Sequence, residues 1–348
     1  LLDMSGMLND IGFNLDDELG VANMAEYHYD DGAVYGFPTK YENSRWILIN
    51  EDMFKEAGLD IPYDGWTYSE FLADAEKLTH GEDQDKVYGV CWARKQSGKS
   101  ILYALDGVLG ANQIYKNEEG TEVNFDNDVY RAGLNLVKET LDKGYAIPIE
   151  DEFSEDISVA NTFLQGKCAI MLGVAQMRLC MDQENYPHDF MTALVPAPVP
   201  DDEKYNTEFY RKQIGTTGAG DLLSISANTK YPEASFEFAM WYLMGGMSPL
   251  VQGGRIPLWN GVNKDEVLSV LKEKAQGSID MDSMENYLSL DTTQGVAAIK
   301  GNASSEISSA WFEEFDAMCY GKQSVDQTVQ NMEKRGNELI QTELSSQK

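Results

Sequence analysis

The chain has 348 residues, of which 43% are apolar, and carries 58 acidic against 27 basic side chains, a formal net charge of −31. That length holds two domains with full cores, and the apolar share excludes general disorder. So acidic a chain repels phosphate backbones and anionic membrane faces, which excludes nucleic acid as a partner, and no apolar run reaches the roughly 18 residues that would span a bilayer. In chain order, Asp31 and Gly32 read as a turn, Val34 to Phe37 as a short strand, and Pro38 as its breaker. Trp46 to Ile49 predicts a second strand. Asn50 then caps a helix with Glu51 and Asp52 in its first turn, Met53, Phe54 and Ala57 on its apolar face, and Gly58 at its end. Thr67 and Glu70 form a capping box ahead of a helix that buries Phe71, Ala75 and Leu78. Val87 to Cys91 reads as a strand.

Further on, Asn127 caps a helix whose Tyr130, Leu134, Val137 and Leu141 share one face, and Gly144 ends it. Pro232 starts another, with Phe236, Ala239, Met240 and Leu243 as its stripe and Gly245-Gly246 as its stop. Ser324 and Gln327 make a capping box before Val325, Val329 and Met332. Helices alternating with short apolar strands predict an α/β protein.

Catalytic and metal signatures fail on inspection. Ser97-Gly98-Lys99-Ser100 imitates the end of a phosphate loop, but Ala93 stands where its first glycine belongs. Gly218-Ala219-Gly220-Asp221 opens like a dinucleotide fingerprint, yet Leu223 replaces the third glycine. Asp126 with Asp128, and Glu150 to Asp156, lack calcium-loop spacing. The cysteines, Cys91, Cys168, Cys180 and Cys319, show no metal-ligand spacing, and His28, His80 and His188 lie near no cysteine pair, so neither metal nor cofactor is expected.

The order strand, loop, strand, helix, turn, helix, with Tyr35, Gly36 and Pro38 before the loop, Asn50 before one helix and Trp66-Thr67 before the next, resembles the extracellular solute-binding proteins of ABC importers. Their family 1, which includes maltose and oligosaccharide receptors, shares three further segments in the same order. These are Phe163 to Met171, Leu222 to Ser226 followed by Pro232, and Tyr320 to Val325. The resemblance implies a type II periplasmic-binding-protein fold of two hinged lobes and a non-catalytic receptor. It would capture a sugar or short oligosaccharide and deliver it to the membrane permease subunits of an importer. It implies a monomer, extracytoplasmic, periplasmic or lipid-anchored at the cell surface. Residues 1 to 38 and 219 to 262 would form the first lobe, and 39 to 218 with 263 to 348 the second. Hinges fall at Pro38-Thr39 and Gly218-Ala219-Gly220. Relatives carry a signal and about three alternating strands and helices before the Tyr-Gly-x-Pro segment, so the first lobe is expected to lack its N-terminal part. Cys168 stands where the family has alanine, which implies a small buried thiol rather than a disulfide.

A pyranose offers an apolar face to an aromatic ring and hydroxyls to carboxylate, amide or guanidinium groups. By that chemistry and by the family's loop positions, the candidate ligand-binding residues are Tyr41, Glu42 and Asn43 after the first hinge, Trp92 and Arg94 after a strand, Gln176 after the Phe163 to Met171 segment, Thr217 and Gly218 at the second hinge, and Arg255. The family's stacking tryptophan is missing from Gly173 to Arg178, where Gln176 would hydrogen-bond instead. Trp66 and Trp311 are read as packing residues. Two alternatives share these features: a glycosidase-like carbohydrate-active enzyme, which needs paired carboxylates, and a receptor for a cationic solute such as a polyamine, centred on Glu42.

Overall fold

The computed structural model describes residues 1–348 except 25–26, 30, 43–44, 93–113, 118, 155–158, 213–218, 291–300 and 347–348. Two separate sheets organise the α/β chain. The smaller has three strands in the order β6-β1-β7, with β1 at Phe37–Tyr41, β6 at Ala219–Leu223 and β7 at Ile256–Pro257, all antiparallel. The larger has four in the order β3-β4-β2-β5, with β2 at Trp46–Asn50, β3 at Tyr88–Cys91, β4 at Cys168–Leu172 and β5 at Thr192–Pro196. Here β3 runs parallel to β4, while β2 is antiparallel to both β4 and β5.

Every residue of β2, β4 and β5 is buried, because this sheet is covered on both faces. Strand periodicity sorts their side chains. Ile47 and Ile49 face a core with Trp66, Phe71, Tyr130 and Phe315, whereas Trp46 and Leu48 face one with Phe163, Leu271, Met284 and Tyr287. The small sheet has its own core, in which Phe37 meets Met4, Leu8, Leu19, Ile225, Phe236 and Met240.

The predicted helix starts hold. Asn50 Oδ1 accepts from Met53 N–H at 3.1 Å at the head of α1 (Glu51–Glu56), and both halves of the Thr67–Glu70 box are made at the head of α2 (Tyr68–Leu78). Asn127 caps α3 (Asp128–Asp142), which buries Tyr130, Leu134 and Val137. The terminal box is made by half. Ser324 Oγ accepts from Gln327 N–H at 3.2 Å, while the Gln327 amide donates to Asn331 instead.

Two expectations are corrected. Pro38 does not end a strand: it lies inside β1 opposite Leu222, and Thr39 to Tyr41 are strand rather than loop. An extended backbone tolerates the fixed φ of proline near a strand's start, where a single ladder bond is forfeited. The same register places Ala219 and Gly220 in β6 opposite Tyr41 and Lys40, so the expected crossings at Pro38-Thr39 and Ala219-Gly220 run as two strands paired with each other, and Gly218 lies outside the described residues. Finally, Cys168 is no free thiol. A disulfide joins it to Cys91 across 77 residues of sequence, because the fold lays β3 beside β4.

Candidate functional site

Where β1 leaves the small sheet, its end faces the turn after β4 and the turn before β7. Between them lies a cavity of about 360 Å³ lined by Lys40, Tyr41, Glu42, Gln176, Arg178, Arg255 and Tyr287, with Val174, Met177, Gly253, Gly254 and Ile256. Of the sequence candidates, Tyr41, Glu42, Gln176 and Arg255 therefore line one cavity. A larger hollow beside Phe13 contains none of the candidates, and one beside Trp259 shares Tyr41 but no other candidate.

Local chemistry explains how each wall is placed. Gly173, at φ +113°, turns the chain out of β4 into Val174–Gln176 and then the short helix α4 (Met177–Cys180), which carries Gln176 and Arg178 to the rim. Gly254, at φ +77°, ends the Ser248–Gly253 turn and lets it press against α4. A Cβ there would lie 2.7 Å from Met181 Cε and 3.2 Å from Arg178 Cα. Tyr287 comes from the helix α5 (Met281–Leu288) and stands edge-on to Tyr41 at 5.0 Å between ring centroids. The Tyr41 hydroxyl donates to Tyr287 O at 2.9 Å, and burial pushes its phenol pKa well up, so it stays protonated.

The charged walls are tied to one another. Lys40 Nζ pairs with Glu42 Oε2 and stands 3.5 Å from Asp221 Oδ1, while Arg255 Nη1 pairs with Asp221 Oδ2. Asp221 sits in β6 at φ +55°, and its carbonyl accepts from Thr39 Oγ1 at 2.9 Å. The edge strand β6 thus holds a carboxylate against Lys40 of its neighbour β1 and Arg255 of the turn before β7.

Trp92 is not part of this group. It is 4% exposed, its Nε1–H donates to Thr140 Oγ1 at 2.8 Å, and its ring lies 5.7 Å from Phe71. It fills the core between α2 and α3 because β3 ends against those helices, away from the small sheet. Asn43, Arg94, Thr217 and Gly218 lie outside the described residues, as does Ser97 to Ser100. Trp66, whose Nε1–H donates to Pro196 O at 3.0 Å, and Trp311, stacked on Phe315 at 4.9 Å, are packing residues as expected. Lys40, Arg178 and Tyr287 of the lining, and Asp221 paired to it, are not among the sequence candidates. Arg178 stood two positions after Gln176 and was open to notice, whereas Tyr287 is 246 residues from Tyr41 and carried no local signal.

A family model of bacterial extracellular solute-binding proteins matches residues 3–243. The chain belongs to that family. This solute-binding protein also shares its fold with solved structures. An ABC substrate-binding protein from Listeria monocytogenes in complex with cycloalternan has a TM-score of 0.70 at 17% identity, the match covering 97% of this chain and 79% of that one. A sugar transporter from Rhizobium etli in an open conformation gives 0.68 at 18%, over 98% and 80%. The sugar-binding protein MalE from Xanthomonas citri gives 0.64 at 16%, over 98% and 79%. Among the described residues of the solute-binding protein, no helix is long and apolar enough to cross a membrane.

Proposed function

We propose that the chain is the receptor of an ABC importer that clasps a sugar or short oligosaccharide between two lobes and hands it to the permease without chemical change. One lobe is the small sheet with its core, residues 1 to 41 and 219 to 262, and the other is the larger sheet with the remaining helices. The carrying observation is the cavity at their border. Tyr41 and Tyr287 supply aromatic surface there, beside the amide of Gln176, the carboxylate of Glu42 and the guanidinium of Arg255. A volume of about 360 Å³ sits at the lower end of the roughly 300–1,000 Å³ of small-molecule sites, which favours a short solute. The sugar and oligosaccharide binders among its structural relatives support the same class of ligand.

Glycoside hydrolysis needs two carboxyl groups flanking the scissile bond, and Glu42 alone supplies one among the described lining residues. A polyamine would need free carboxylates, but Glu42 is taken by Lys40. Isothermal calorimetry against a glycan panel tests the proposal. Sugar binding without release of cleavage products is the expected result, and binding of amino acids or polyamines in place of every sugar would overturn it.

A further inference from the structure

The charges around the cavity run against the composition of the chain. Acidic residues outnumber basic ones by 58 to 27 overall, yet the described lining carries Lys40, Arg178 and Arg255 against Glu42 alone. Including Asp221, which pairs with Lys40 and Arg255, still leaves cations in excess. Pairing shows where that excess resides. Asp221 is shared by Arg255 and Lys40, and Glu42 is taken by Lys40, so both carboxylates are spent within the site. Arg178 has no such partner among the described residues. Arg178 is exposed at the rim, and its Cβ lies 3.0 Å from where a Cβ on Gly254, next in sequence to Arg255, would stand. The two arginine stems thus flank one wall of the cavity.

We infer that the solute carries an anionic group, a carboxylate or sulfate on the sugar, received by Arg178 beside Arg255. This rests on the sugar-receptor reading and narrows its ligand class. Three cations facing two carboxylates are balanced by one negative charge, and the planar fork of arginine matches the oxygens of carboxylate and sulfate alike. A neutral sugar would leave the Arg178 charge uncompensated when lobe closure removes water from it.

The test compares affinities within matched sets, each a neutral disaccharide, its uronate and its sulfate ester, by calorimetry on the full chain. In at least one set the uronate or sulfate should bind about tenfold more tightly than the neutral member, as one charge-assisted contact supplies. That preference should shrink from about 0.01 M to about 1 M salt, as screening shortens from about 30 to about 3 Å. Whichever anion wins distinguishes the two sources. Arg178→Gln should lose about tenfold for the anionic member, and Arg178→Lys should recover part of it. Lys334→Gln, the same charge change made far from the cavity, should lose none. Equal or tighter binding of the neutral member in every set, or a preference that survives Arg178→Gln, would overturn the inference and leave the sugar receptor standing. Binding of no sugar would overturn the receptor reading and this inference with it.

Discussion

Gly254 and Trp92 show how single residues divide between building the cavity and supporting it. Gly254 combines a left-handed backbone with close contact to α4, so Gly254→Ala should cost about 1–2 kcal/mol in urea unfolding and weaken solute binding as well. A variant as stable as the parent and binding normally would contradict this placement. Trp92→Phe should behave differently. It keeps an aromatic ring beside Phe71 but strips the hydrogen bond to Thr140, and is expected to lower stability by about 1 kcal/mol with solute affinity unchanged. Affinity measured beside the unfolding curve separates the two roles.

At the scale of elements, helix α2 carries a carboxylate at odds with its surroundings. Burial raises the pKa of Asp74 to about 6, with Lys77 opposing the shift and Glu70 and Asp60 adding to it. In the unfolded chain the group titrates near 3.9, so between about pH 4 and 6 the folded state holds more proton. This group's contribution is therefore most favourable below about pH 4 and is lost as pH rises through about 6. Asp74→Asn should stabilise the protein at pH 7 by about 1 kcal/mol, a figure discounted for the group's partial exposure, and the gain should vanish near pH 4. Urea midpoints at the two pH values check it.

The C-terminal hairpin shows the opposite case. It pairs α6 (Ser304–Cys319) with α7 (Val325–Ser346). Burial works to raise the pKa of Glu314, but hydrogen bonds from Arg335 at 2.7 Å and from Gln323 and Asn331 at 2.9 Å outweigh it and hold the group below the ordinary carboxylate range. That stabilisation is present above the unfolded pKa and lost as pH falls through the folded one. Arg335→Ala should cost about 2 kcal/mol at pH 7, seen as a lowered thermal midpoint, because it leaves a mostly buried carboxylate short of its cation.

For the molecule as a whole, two sheets with separate cores both border the candidate cavity, so binding and stability are linked. A solute at 100 times its dissociation constant should add about 2.7 kcal/mol to unfolding, and closure of the lobes should shrink the radius of gyration in solution scattering. A raised melting temperature with no change in dimension would separate binding from closure.

The sequence by itself determined the α/β class, the helix starts at Asn50, Thr67, Asn127 and Pro232, and the candidates Tyr41, Glu42, Gln176 and Arg255 that share one cavity. Caps and turns are legible because their hydrogen bonds close within about four residues. Tertiary structure alone decided that Pro38 is strand, that Cys91 meets Cys168, that Trp92 is core, that Tyr287 lines the cavity and that Asp221 pairs with Arg255. Each of those outcomes depends on partners far along the chain, such as β6 against β1 and α5 against Tyr41. No local propensity encodes which distant surface will remove a side chain from water.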